Sequence, residues 1–399
     1  MRRFLLAAVA TASTVGFVYA DDEKAKPKAA TPPATAAKDD KKAAEKKDDE
    51  KKDLTRKERL AEIQKELGKK RSEMVKEINA LKPGKERDEA IQLYTKASVP
   101  FALKAFELAK EDVKDEATYP ATMFAFQNGG KKVSQDAGDF LVDHFIEDAR
   151  LKTAIPAIAT NEVGPRVLGR LAEKTKDKDV RGAALFAISD TEVDNTDYPS
   201  TGKPLPADEA AAKLTATAAK LERLGTEYAD VKITSRMGKT IGEAVAKKLY
   251  FVNNLTVGKK APEFECEVLD TEAKKKLSEF KGNVVVLDVW ATWCGPCRAM
   301  IPHERELVEK MKSKPFKLVS LSADDKKETL TKFLEKEEMP WTHLWNGSAK
   351  GNFLEQYQIR FYPTIYVLDA KGTIRFKHCR GEAMDHAVET LLKEMSGAE

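Results

Sequence analysis

The period of the apolar positions changes near residue 250. From 54 to 250 they recur with helical spacing: Leu60, Leu67, Met74 and Leu81 stand seven residues apart with Ile63 and Ile78 beside them. That pattern predicts one long amphipathic helix ended by Pro83-Gly84. The other seam position carries Lys70, which favours packing within the chain over pairing with a second copy. Further helical runs are expected over 91–113, 139–151, 165–175, 180–189 and 207–228, with breaks at Gly129-Gly130, Pro156, Gly164-Pro165 and 198–206. Short helices with tight breaks predict an all-α domain of α-hairpin type over 54–250, without a clean repeat period. The aromatic cluster Tyr119, Phe124 and Phe126 reads as core rather than as a binding groove.

After residue 257 strands alternate with helices. The apolar run 284–289 predicts a buried strand leading into a helix over 294–311; strands at 316–321, 341–345, 364–368 and 374–378 and helices at 326–337, 353–357 and 383–395 follow. Asp369-Ala370-Lys371-Gly372 supplies a hairpin connection between the last two strands. The expected result is a mixed sheet with helices on both faces, an α/β domain over 257–399 behind the all-α domain. Cys266 and Cys379 sit in strand-like segments as small packed residues; a bond between them cannot be read from sequence, and His378 reads as structural.

Composition adds compartment and excludes some partners. Arg2 and Arg3, the apolar stretch 4–18 and Val18-Tyr19-Ala20 form a signal peptide over 1–20, with cleavage expected after Ala20, so a periplasmic or secreted protein is expected; an uncleaved anchor is the alternative. The apolar stretch is short for a membrane span, and no cysteine follows it to carry a lipid. Residues 21–53 are nearly all Lys, Asp, Glu, Ala and Pro and read as a disordered charged linker. Formal charge is +4, falling to +2 without Arg2 and Arg3, which argues against a nucleic-acid or anionic-membrane partner. Four cysteines in 399 residues are too few to staple the fold, and a hydrophobic content of 42% supplies the cores instead.

The chemistry concentrates in Trp293-Cys294-Gly295-Pro296-Cys297. A sulfur where a strand turns into a helix meets unpaired N–H groups that favour its thiolate, and thiolates attack disulfides. Two intervening residues place the second sulfur one turn on, where it can attack a mixed disulfide and release the substrate as a dithiol. Cys294 is therefore the nucleophile and Cys297 the resolver. Gly295 permits close approach, and Pro296 pre-sets a helical φ where its missing N–H costs little. A structural zinc half-site is disfavoured because Cys266 and Cys379 stand alone and His303 is the only nearby histidine, so no metal is expected. Asp288, inside an apolar run, is expected to have a raised pKa.

These residues resemble the thioredoxin-fold oxidoreductases, and specifically the exported TlpA-like thiol-disulfide oxidoreductases, over about residues 257–395. The resemblance is carried by Val257-Gly258-Lys259-Lys260-Ala261-Pro262-Glu263-Phe264, Leu277-Ser278-Glu279-Phe280-Lys281-Gly282, the strand, Trp290 to Arg298, Pro302 and Tyr362-Pro363-Thr364. It implies that Pro363 forms a cis-proline loop aligning substrate backbone. It places Trp293, Gly295, Pro296, Tyr362, Pro363 and Thr364 at the substrate, and gives Asp288 the proton of the resolving thiol. It also implies no cofactor beyond the redox-active disulfide Cys294–Cys297, protein disulfides as substrates and a membrane-embedded electron donor. Thiol peroxidases resemble this fold but set Thr three residues before the reactive Cys, whereas Thr292 stands two before Cys294. The helical domain resembles tetratricopeptide or HEAT arrays more loosely. The expected function is an exported protein disulfide reductase; the alternative is a cell-envelope interaction protein whose helical domain binds a partner and whose dithiol senses redox state.

Overall fold

The computed structural model describes residues 54–82, 84–199, 205–269, 271, 273–347 and 352–397. The expected signal peptide (1–20) and nearly all of the expected linker (21–53) lie outside the described residues, as does Pro83. Among the described residues no helix is long and apolar enough to cross a membrane.

Two compact units divide at 137/138. The first begins with α1 (Arg56–Ala80), whose Thr55 hydroxyl caps the Glu58 N–H while the Glu58 carboxylate returns to the Thr55 N–H. Leu60, Leu67 and Ile78 of its stripe are buried against α2 (Lys85–Lys96) and α3 (Val99–Glu111), and α3 packs on α4 (Thr118–Asn128). The run expected over 91–113 is thus two helices, because Pro100 lacks the N–H needed to carry the first helix through and starts the second instead. Tyr119 and Phe126 are core residues of α4. The division falls within α5 (Gly130–Phe145).

The second unit continues with α6 (Arg150–Ala159), α7 (Gly164–Lys174), α8 (Lys178–Asp197), α9 (Ala207–Glu227) and α10 (Ile241–Asn254). Pro156, expected to break the chain, lies inside α6: burial of Leu151, Ile155 and Ile158 along one face outweighs the lost backbone bond. The packing units do not follow the change of pattern near 250. Phe186 and Val193 of α8, Leu221 and Leu224 of α9, and Val245 and Phe251 of α10 share one continuous core with the sheet residues that follow, so these helices belong to the C-terminal unit.

The sheet has seven strands in the order β2-β1-β5-β4-β3-β6-β7: β1 (Glu265–Val268), β2 (Lys274–Lys276), β3 (Val284–Trp290), β4 (Phe316–Ser322), β5 (Thr342–Trp345), β6 (Thr364–Leu368) and β7 (Ile374–Lys377). β3 runs parallel to β4 and antiparallel to β6, and every residue of β3 is buried. Alternation sends Val284 and Val286 to one face, against Leu307 and Met311, and Val285, Leu287 and Val289 to the other. The helix expected over 294–311 is interrupted after one turn, giving α11 (Gly295–Arg298) and α12 (Ile301–Lys310), with Pro302 opening the second. α13 (Lys327–Leu334), α14 (Asn352–Gln356) and α15 (Glu382–Ser396) complete the mixed, helix-covered sheet.

Candidate active site

β3 ends at Trp290, and the chain turns through Ala291 to Cys294, the N-cap of α11. The turn is held from beneath by Asp324, a residue the sequence pattern does not single out. Its carboxylate accepts from the Thr292 N–H at 3.1 Å, the Thr292 hydroxyl at 2.7 Å and the Ser322 hydroxyl at 2.7 Å, while its carbonyl accepts from the Trp345 indole at 2.8 Å. Asp324 is 1% exposed, and these charge-assisted bonds fix the geometry of the turn.

Cys294 and Cys297 form a disulfide with their Cα atoms 5.3 Å apart. The Cys297 N–H points at the Cys294 sulfur at 3.2 Å, and a donor there favours a thiolate on Cys294 when the bond is reduced. Cys294 keeps 5% of its surface exposed and Cys297 3%, so the leading sulfur is less open than its spacing implies. Access runs across Trp293, 66% exposed, and the exposed Gly295 and Pro296.

The second wall comes from the β6 approach. Tyr362-Pro363 is a cis peptide, and the Tyr362 ring meets the Trp293 ring edge-on at 5.5 Å. The Pro363 carbonyl accepts from Arg380 Nη2 at 2.9 Å, and the Thr364 hydroxyl donates to the Phe361 carbonyl at 2.7 Å. Arg380, also unmarked by any sequence pattern, therefore ties this loop to the segment before α15.

Asp288 lies on β3 between Ser320 of β4 and Ile365 of β6 and is 3% exposed. Burial pushes its carboxyl up to about 7, against the opposing influence of the Arg380 charge. Glu304, on α12, is 1% exposed and held well above the usual carboxylate range, first by burial and then by the nearby Asp288 charge. Cys266 and Cys379 are free thiols; burial pushes Cys266 up to about 12 and raises Cys379. Among the described residues, no group of three or more His, Cys, Asp or Glu is placed to hold a metal ion.

His378, with a backbone φ of 57°, packs its ring edge-on to Tyr198 at 4.6 Å, beside the buried ion pair of Lys377 with Asp197 at 2.6 Å. Tyr198, at the end of α8, also meets Phe361 at 5.7 Å, so the helices of this unit reach the approach to the cis-proline loop.

The sequence of this region has counterparts among known proteins. The AhpC/TSA family profile matches residues 257–377. No family profile matches the helical region before it. The thiol-disulfide oxidoreductase ResA of Bacillus thuringiensis subsp. konkukian is 30% identical over 143 residues, covering 36% of this chain and 80% of that protein. The thiol:disulfide interchange protein DsbE of Vibrio cholerae is 31% identical over 153 residues, covering 38% of this chain and 77% of its own length. The crystal structure of a thiol:disulfide interchange protein DsbE, so named, from Chlorobium tepidum is 31% identical, covers 35% of this chain and 99% of its own, and has a TM-score of 0.33.

Proposed function

The chain belongs to the thiol-disulfide oxidoreductases, with its thioredoxin-like domain in the C-terminal part, and from that premise we propose that it is an exported reductase of protein disulfides working through Cys294 and Cys297. The observation that carries this reading is the Cys294–Cys297 disulfide at the strand-to-helix turn, with the Cys297 N–H on the Cys294 sulfur and the cis-proline loop forming the facing wall.

In the reduced enzyme the Cys294 thiolate attacks one sulfur of the substrate disulfide. A bond forms between that sulfur and Cys294, the substrate S–S bond breaks, and the other substrate sulfur leaves as a thiolate and takes a proton from solvent. Cys297 then gives its proton to the Asp288 carboxylate and attacks Cys294. The enzyme disulfide closes, and the second substrate sulfur leaves and receives a proton in turn. Two electrons pass from enzyme to substrate. Trp293, Gly295 and Pro296 form the floor over which substrate approaches, and Tyr362, Pro363 and Thr364 align its backbone. The Gly-Pro pair between the cysteines is the one found in thioredoxin, the reducing example at about −270 mV. Export follows from residues 1–20, and a membrane-embedded donor returns the enzyme disulfide to the dithiol. Thr292 donates its hydroxyl to Asp324, which weighs against a peroxidase role for it.

Replacing Cys297 with Ser removes the resolving step. Covalent adducts through Cys294 then accumulate and disappear on reduction; a variant that forms none would remove the exchange mechanism. The contacts of Tyr198 with Phe361 and His378 favour one second reading, in which the helices select a partner and the dithiol senses redox state. Tyr198→Ala separates the two: unchanged insulin reduction with loss of specific trapped partners supports partner selection.

A further inference from the structure

Glu304 is not used by the chemistry above, yet it is one of the most deeply buried ionisable groups in the molecule, at 1% exposure. On β3, Asp288 shares a face with Val284 and Val286, which pack on Leu307 of α12. On α12, Glu304 is buried three residues before Leu307 and so lies on the side of the helix that carries Leu307 to Val284 and Val286. Glu304 Oε1 and Asp288 Oδ1 are both buried without a hydrogen-bond partner. Packing alone does not account for two such atoms at one interface, since an apolar side chain would fill either place without stranding an acceptor.

We propose that Glu304 is a positioning residue of the redox site, sharing one proton with Asp288 across the β3–α12 interface. The proposal rests on the assignment of Asp288 as proton acceptor for Cys297.

Two carboxylates in one apolar site cannot both ionise cheaply, so the pair titrates in two steps that belong to it jointly. A proton held by Glu304 and donated to the Asp288 carboxylate satisfies both stranded oxygens. It also orients the remaining lone pairs of Asp288 for the resolving thiol. The electrostatics agree: burial raises both groups, and the Asp288 charge raises Glu304 further. The other elements around Asp288 supply little competing charge. β6 places Ile365 beside it, and α15 brings Met384 and Val388 to the same core. β4 places Ser320, whose hydroxyl is engaged with His343 Nδ1 at 2.7 Å. Arg380, from the segment before α15, is the cation whose charge bears on Asp288, and one of its donors serves the Pro363 carbonyl. When Cys297 resolves, its proton converts the singly protonated pair to the doubly protonated one, and the departing substrate thiolate takes it back.

Carboxyl carbon NMR of the full chain in the oxidised form, where neither active-site cysteine titrates, reads the pair directly. In wild type the Asp288 carbon should titrate in two steps. In Glu304→Gln, which keeps volume and a donor, it should titrate in one. Single-step titration in both proteins overturns the proposal. If Glu304→Gln does not fold, infrared spectroscopy of wild type decides: a protonated carboxyl band present at pH 8 whose frequency shifts in Asp288→Asn supports the shared proton, and no band, or a band unmoved by that change, overturns it. The resolution rate at pH 7 separates this inference from its premise. Asp288→Asn should slow that step by about 10²-fold; an unchanged rate removes the role of Asp288 itself, whereas slowing in Asp288→Asn with a one-step wild-type titration removes only Glu304.

Discussion

Lys377 and Asp197 bury opposite charges 2.6 Å apart at one edge of the sheet, whereas Asp288 and Glu304 bury two acids on its inner strand and the helix above it, each with an oxygen left unpartnered. The first arrangement satisfies itself: burial alone would raise Asp197, but the Lys377 charge and hydrogen bond, with His378 nearby, hold it below the usual carboxylate range. The second does not, and its Asp288 sits at about 7, where protons are taken and released near neutrality. Both sites are buried, so the difference lies in the sign of the neighbour. A structural pair is locked in one charge state, while a like-signed pair is poised between two.

Breaking the locked pair should give the largest change. Asp197→Ala strands the Lys377 ammonium, and thermal unfolding should show a loss of about 3–5 kcal/mol. Reductase activity per folded molecule should stay close to wild type, because neither residue touches the dithiol. A stability loss under about 1 kcal/mol would show that water reaches Lys377 and that the site is not dry.

The poised pair should behave in the opposite way. The folded pKa of Asp288, about 7, lies above its unfolded value of about 3.9, so the folded state holds the proton more tightly. That contribution to stability is fully present below pH 4 and is lost as pH rises through 7. Asp288→Leu should therefore gain stability relative to wild type as pH rises through 7, read as a difference of unfolding free energies. A gain independent of pH would mean that Asp288 is not the titrating group. The smallest effect sharpens the contrast: Lys377→Met combined with Asp197→Leu removes both charges together and should change stability by about 1 kcal/mol or less.

The same contrast marks what could be read along the chain. The dithiol, the strand before it and the order of strands and helices after 257 are local patterns, and they reappear in the structure, whereas the cis peptide at Pro363 is implied by the family resemblance alone. Asp288 was conspicuous because it interrupts an apolar run. Glu304 was not, because an acid in the first turn of a helix is ordinary; the available signal was its place between Ile301 and Leu307. Asp324 and Arg380 act across the fold, through Thr292 and Pro363, and no spacing along the chain connects them. Helix boundaries failed where tertiary burial decided them, as at Pro156. The packing units divide at 137 rather than where the helical pattern gives way near 250, because Phe186, Leu221 and Phe251 are core residues of the sheet's own cluster, which periodicity cannot reveal.

The central claim is that Cys294 and Cys297 form a reducing dithiol. Equilibrating the full chain against defined thiol-disulfide buffers and counting free Cys294 and Cys297 gives its reduction potential. The account predicts a value near the −270 mV typical of thioredoxin, whereas a value near about −120 mV, that of a strong oxidant, would contradict it.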